Sequence, residues 1–290
     1  MNSAFNKNCG ESKYRKEWAA FNSGRIYERS LGTERVDNRI LVISDLHCPF
    51  HTSINTFSDF VGKVDTLVLN GDITDCQALS KYEKAYRSSP IEEIIITRQF
   101  LMNLIQYLLP TKVVVTYGNH DMRLKSYLAK NLDCDIAEML PETSLESIFV
   151  DGFYRYNRQD GTKTWFEPLQ TIFQDIDIEY TGNWFCQVGD TIFAHPLTFN
   201  SGILKTSEKA LTCFKNEGFV FKNLVLAHTH RIGSYALGNS MIYEQGCCCN
   251  VDAMKYANGK LSGSQKEGFI YMCQYNGKTI DDLTKQIKIN

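Results

Sequence analysis

No apolar run in this chain approaches the roughly 18 residues that a membrane-spanning helix needs. The first 30 residues are polar and lack the short hydrophobic stretch of a secretory leader, so the expected location is the cytoplasm. There is no excess of charge of either sign. A formal net charge of -2 and a pI near 6.3 remove any global electrostatic drive toward nucleic acid or a membrane surface, leaving only a local basic groove open. Ten cysteines are present, but no Cys-x-x-Cys pair is among them, and apart from the triplet Cys247, Cys248 and Cys249 they are scattered. With no Cys-x-x-Cys pair, the pattern reads as reduced thiols in a reducing compartment, with those of the triplet expected to be buried. Internal repeats and low-complexity tracts are also missing.

What the chain does have is material for a core: 290 residues, 43% of them hydrophobic and 22% charged, suffice for one large domain. Residues 1 to 35 read as a polar N-terminal extension carrying "SKYRKEWAAF", and residues 36 to 290 as the main domain. Five short apolar runs follow: "RILVIS" (39–44), "TLVLN" (66–70), "KVVVTY" (112–117), "TIFA" (191–194) and "NLVLA" (223–227). They are too short and too β-branched for helices, which predicts the buried strands of an α/β protein. "SSPIEEIIITRQFLMNLIQYLLP" predicts a helix, with Ser89 as N-cap, Pro90 in the first turn, Glu92 completing a capping box and Pro110 beyond its end. Residues 133 to 182 are the least regular, and "DGFYRYNRQDGTKTWF" reads as a hairpin or long loop inside an insertion. Tyr154, Tyr156 and Trp165 in it could stack on a base, although burial in a small subdomain is the expected role.

The polar residues concentrate where the strands end. Asp45 and His47 follow the first run, Asp72 follows Gly71 after the second, and Asn119, His120 and Asp121 follow Gly118 after the third. His195 closes the fourth, and His228 and His230 close the fifth in "AHTH". In an extended chain those last two would point to the same side. One histidine at a strand end needs no ligand to explain it. Five of the six histidines placed this way, with two glycines supplying sharp turns, form a set that points to a site at the carboxyl ends of the strands. Carboxylates and imidazoles crowded together would be costly without a cation to neutralise them. The donors are nitrogen and oxygen without thiolate, which suits Mn, Fe, Zn or similar ions.

The blocks D-x-H, G-D, G-N-H-D, H and H-x-H, in this order from Ile40 to Tyr235, resemble the calcineurin-like metallophosphoesterase superfamily. "AHTH" carries Ala227 where that family usually has glycine. The resemblance implies a four-layer α/β/β/α sandwich of two mixed sheets. It also implies a dinuclear centre, with Asp45, His47, Asp72 and His230 on one divalent metal and Asp72 as bridge, Asn119, His195 and His228 on the other. Manganese is the first expectation for the pair, with Fe, Zn or a mixed pair as alternatives. Such metals, about 3.5–4 Å apart, would share a bridging hydroxide that attacks the phosphorus atom. His120 would protonate the leaving oxygen or stabilise the transition state, and Asp121 would orient its imidazole.

For the substrate, the protein-phosphatase pattern G-D-x-x-D-R-G and G-N-H-E is not matched, because Cys76 stands at the arginine position and Asp121 at the glutamate. Arg123 and Arg231 are the candidate phosphate grips, and His51 a candidate at the pocket mouth. The stretches "DLHCPFH", "GNHDMRLKSYL" and "HTHRIGSY" followed by "QGCCCN" look like stand-alone phosphoesterases of phages and prophages, which places the expected cytoplasm in a bacterium or a phage-infected host cell. The expected activity is hydrolysis of a phosphodiester in a nucleotide or single-stranded nucleic acid. A phosphomonoesterase, protein phosphatases included, is the alternative, and a non-catalytic binding module of the same fold is a third.

Overall fold

The computed structural model describes residues 35–81, 89–200, 202–254 and 265–289. All but Arg35 of the expected N-terminal extension lies outside them. Period-two alternation in the first strand, β1 (Asn38–Ile43), sets up the architecture. Leu41 and Ile43 point into one apolar cluster, and Ile40 and Val42 into another. A strand apolar on both faces must be covered on both, so the sheet lies between two layers.

The first sheet pairs β1 with β2 (Thr66–Asn70), β2 with β3 (Lys112–Thr116) and β3 with β6 (Asp177–Tyr180), all in parallel. On its other side β1 pairs antiparallel with β12 (Gly268–Tyr275), which also holds β13 (Lys278–Thr279) and β14 (Lys285–Lys288). The second sheet runs β10 (Ile232–Leu237), β11 (Ser240–Gln245), β9 (Asn223–Leu226), β8 (Thr191–Ala194) and β7 (Phe185–Val188). Its central pairs are parallel and its outer pairs antiparallel. Ile40, Val42, Val68 and Val114 of the first sheet meet Phe193, Val225 and Tyr243 of the second.

Helix α1 (Pro90–Leu108) covers the outer face of the first sheet through Phe100, Leu101, Leu104, Ile105 and Leu108. Helix α3 (Lys205–Asn216) covers the second sheet with Ala210, Leu211 and Phe214. The result is the four-layer α/β/β/α sandwich of two mixed sheets. A smaller helix, α2 (Arg123–Asn131), follows the third block of polar residues. Among the described residues no helix is long and apolar enough to cross a membrane.

Three local expectations are corrected. Ser89 and Pro90 do open α1, but the Ser89 side chain makes no capping bond, and Glu92 pairs with Arg155 instead of closing a capping box. The segment 133–182 is less of an insertion than its irregular sequence suggests, since Leu145, Ile148 and Phe149 are fully buried in the core and β6 forms the edge of the first sheet. Within it β4 (Phe153–Tyr156) and β5 (Lys163–Phe166) do form a hairpin. Tyr154, Tyr156 and Trp165, however, are exposed on it and not buried in a subdomain.

Candidate metal centre

Each candidate ligand follows the carboxyl end of a parallel strand: Asp45 and His47 after β1, Asp72 after β2, Asn119 after β3, His195 after β8, and His228 and His230 after β9. The loops interlock through the backbone. Asp45 N–H donates to Gly71 O at 3.0 Å, His47 N–H to Asp72 O at 3.0 Å, and Ala227 N–H to Ala194 O at 3.0 Å. Five of these residues have positive φ: Asp45 (49°), His47 (44°), Asp72 (49°), His228 (73°) and His230 (52°). A left-handed backbone at a non-glycine residue costs on the order of 1–3 kcal/mol and persists where its surroundings over-determine it, typically at functional sites. It also shows that "AHTH" is not extended. β9 ends at Leu226, and a turn closed by Thr229 N–H to Ala227 O redirects the two histidines.

Two glycines make the approach possible. A Cβ on Gly71 (φ 77°) would lie 2.6 Å from the His195 ring. At Gly118 a Cβ would overlap the Asp72 carboxylate, so the glycine there serves space and not a turn.

The side chains converge in two overlapping groups. His230 Nε2 lies 3.0 Å from Asp45 Oδ1 and 3.3 Å from His47 Nε2, and His47 Nε2 lies 3.9 Å from Asp72 Oδ2. On the other side His195 Nε2 is 3.2 Å from Asp72 Oδ2, and His228 joins the same pair. Asp45 and Asp72 are held from behind. Ser44 Oγ–H donates to Asp45 Oδ2 at 2.6 Å, His228 N–H to Asp45 Oδ2 at 3.2 Å, and His120 N–H to Asp72 Oδ1 at 2.7 Å. His195 Nδ1 donates to Asn70 O at 2.9 Å, which turns Nε2 toward the cluster.

A cation fits this arrangement. Among the described residues Asn119 Oδ1, His195 Nε2 and His228 Nε2 are buried without a hydrogen-bond partner, and buried polar atoms are seldom left so. Two imidazole Nε2 atoms 3.3 Å apart, His47 and His230, cannot both present lone pairs unless something positive lies between them. The ionisation pattern shows the same demand. Burial opposes charge throughout, yet the Asp72 and Asp45 carboxylates push His195 up to about 9, and Asp45 raises His230 well above the ordinary range. Those two aspartates stay well below the usual carboxylate range against the cost of burial, because the neighbouring histidines are charged. His228 is driven down to about 4 by burial and by the His195 charge, and His47 is lowered by burial and by His120.

A family model described as calcineurin-like phosphoesterase matches residues 38–232, about two thirds of the chain. The chain belongs to the calcineurin-like phosphoesterase family. The phosphoesterase is therefore a metal-dependent hydrolase of phosphate esters. No curated protein sequence matches it. Among solved structures it is similar to an archaeal phosphodiesterase (14% identity, 87% of this chain and 99% of that one, TM-score 0.39). It is also similar to a metallophosphoesterase from Sphaerobacter thermophilus (13% identity, 87% and 88%, TM-score 0.39) and to Vacuolar Protein Sorting 29 from Cryptosporidium parvum (12% identity, 88% and 99%, TM-score 0.39).

Around the cluster, the expected Asp121–His120 pair is not formed. The Asp121 carboxylate accepts from Gly118 N–H (2.9 Å), Thr74 N–H (3.0 Å) and Thr74 Oγ–H (2.7 Å), buttressing the loops after β2 and β3. Burial and the nearby Asp72 charge raise it to about 6. His120 is held instead by Asp75, whose Oδ1 is 2.9 Å from His120 Nδ1 and 3.2 Å from His47 Nδ1. Burial opposes the Asp75 charge, but these two imidazoles keep it far below the usual carboxylate range. Asp75 is the functional residue the sequence reading missed, and its signal was the second aspartate of "GDITD".

The phosphoesterase does not bring all three candidate substrate contacts together. Arg123 is at the site, donating to Asp75 O at 2.6 Å and to His120 Nε2 at 3.0 Å. Arg231 lies over the Phe199 ring, 5.6 Å from its centroid, and Phe199 in turn faces the His228 ring at 5.9 Å. His51 is turned onto the core, stacked on Phe100 of α1 at 4.0 Å with Nδ1 near its neighbour's carbonyl, so it is no part of the cluster. Cys76 is buried, and its thiol donates to Thr74 Oγ1 at 3.3 Å.

Proposed function

We propose that the phosphoesterase is a dinuclear enzyme that hydrolyses a phosphodiester in a nucleotide or single-stranded nucleic acid. The observation that carries this reading is the pair of overlapping donor groups, Asp45–His47–His230 and Asp72–His195–His228, with Asn119 Oδ1 buried and unpartnered beside them. Asp72 Oδ2 lies 3.9 Å from His47 Nε2 and 3.2 Å from His195 Nε2, between the two groups, and would be the ligand the two ions share. Two divalent ions held there, manganese first among them, would polarise the phosphoryl oxygens and make a coordinated water acidic enough to attack near neutral pH.

The chain's own residues supply the rest. His120, with Nδ1–H fixed on Asp75, presents Nε2 toward the cluster, 4.0 Å from Asp72 Oδ2. Arg123 now donates to that nitrogen. When its guanidinium turns to the phosphoryl oxygens, Nε2 is free to take up a proton from solvent and pass it to the leaving oxygen. The organic part of the substrate would occupy a cavity of about 450 Å³ lined by Trp184, Pro196, Phe199, Asn200, Thr206 and Lys209, of which Pro196 follows His195 in the chain. Aromatic rings with one lysine suit a base and its sugar-phosphate chain, which is what favours a nucleotide over a phosphoprotein.

The deciding experiment is hydrolysis of matched aryl phosphate monoester and diester substrates by manganese-loaded protein, with metal-stripped protein as control. Metal-dependent turnover that prefers the diester is expected. Preference for the monoester would replace this reading with a phosphomonoesterase, and absence of turnover of either with both metals bound would leave a narrow natural substrate or a binding role.

A further inference from the structure

A second donor group sits directly behind the first. β11 ends at Gln245, and the chain continues through Gly246 into the cysteine triplet. Cys248 turns into the core under the first sheet, donating its thiol to Gly268 O at 3.4 Å. Cys247 and Cys249 turn the other way, into a separate buried cluster with Met254, Phe50 and Val251. Their sulfurs and one ring nitrogen of His230 lie within 4.8 Å of one another, and all three residues are buried. The residue that carries the argument is His230, only 6% exposed. Its Nε2 is taken by Asp45, which leaves Nδ1, buried without a hydrogen-bond partner among the described residues, as the nitrogen available to the two sulfurs. A ligand imidazole normally donates its second N–H to a carboxylate or a carbonyl. Here the atoms behind it are thiols.

We propose that His230 Nδ1, Cys247 and Cys249 form a soft-metal site, separate from the oxygen- and nitrogen-lined centre in front of it, that takes zinc, cadmium or another thiophilic ion. Two thiolates and one imidazole are a usual protein donor set for zinc, at about 2.0–2.3 Å from the ion, and are disfavoured by manganese or magnesium. Met254 keeps the surroundings apolar and adds a thioether to the same cluster. The backbone frame is already built. Cys247 N–H donates to Lys266 O at 3.0 Å, and Lys266 N–H to His230 O at 2.8 Å, so Cys247 and His230 are tied through one residue, with Cys249 two positions along the same chain segment. Capture of the ion releases the two thiol protons to solvent, including the one Cys247 now directs at Lys266 O. The shared imidazole has a consequence. With a metal of the front centre on Nε2, 3.0 Å from Asp45 Oδ1, and the soft ion on Nδ1, the ring would serve both sites as a bridging imidazolate and give its remaining proton to solvent.

The test is a titration of reduced, metal-stripped full-length protein with cadmium, followed by the sulfur-to-metal charge-transfer absorption. One equivalent should bring the band up, Cys247→Ser and Cys249→Ser should each lose it, and Cys248→Ser, on the opposite face, should keep it. No band in the wild-type protein, or an undiminished band in Cys247→Ser, overturns the site. Should a variant fail to fold by circular dichroism, X-ray absorption of the cadmium-loaded wild type decides. Two sulfur neighbours support the site, and oxygen and nitrogen neighbours alone overturn it. Sulfur ligation is read independently of ester hydrolysis, so this outcome and that of the phosphodiesterase reading can be told apart.

Discussion

His120 illustrates how much hangs on a single partner. Its imidazole is fixed by Asp75 on one side and approached by Arg123 on the other, and Asp75 holds His47 as well. Asp75→Asn should therefore lower both turnover and metal affinity, each by roughly 10–100-fold, because a neutral amide oxygen holds both rings more weakly than the carboxylate does. His120→Ala should cut turnover by roughly 10²–10⁴-fold while metal content stays intact. Metal analysis beside steady-state kinetics separates the two, and loss of metal in His120→Ala would mean that His120 is a ligand. Asp121 makes a different prediction. Its carboxyl is raised to about 6 when folded, so the folded state binds that proton more tightly than the unfolded chain, whose aspartates titrate near the ordinary value. Its contribution to stability is then full below about pH 4 and declines as pH rises toward 6. Denaturant melts of metal-free protein should show that decline in the wild type and a flatter profile in Asp121→Asn.

Among elements, the strand ends and the layers make opposite demands. Phe214 on α3 is fully buried against the second sheet and stacks with Trp184 at 5.1 Å. Phe214→Ala should cost about 3–5 kcal/mol, because the cavity left between helix and sheet cannot collapse fully. Metal content of the folded fraction should nonetheless be preserved. Gly118→Ala changes far less volume, but its methyl would overlap Asp72, so metal should be lost out of proportion to the fall in stability. If metal-binding isotherms ranked the two variants the other way, the close approach of the β2 and β3 loops would not be what builds the site.

For the whole molecule, the centre joins the two sheets. Asp45, His47, Asp72 and Asn119 follow strands of the first sheet, and His195, His228 and His230 follow strands of the second. An ion bound between them binds the folded state only, so thermal stability should rise with metal concentration, by about 2.7 kcal/mol when the free ion is at a hundred times its dissociation constant. Scanning calorimetry at graded manganese concentrations checks this, and a melting temperature indifferent to metal would argue that the two halves are not bridged.

The five buried strands, the first helix and the polar residues at the strand ends were legible in the sequence because each is a local signal: a β-branched run, a proline in the first turn, a glycine where the chain must pass closely. The family followed from their order. β11 and β12 were not legible, since they become strands by pairing with β9 and β1 across many residues of intervening chain. Nor did local pattern show that Asp75 and not Asp121 meets His120, or that Cys247 and Cys249 lie behind His230, because neighbours distant in sequence meet only when the two sheets pack and their loops interlock. Residue types at strand ends determined what chemistry this protein can hold. The packing of the layers decided which of those residues face one another, because only that packing brings their side chains within bonding distance.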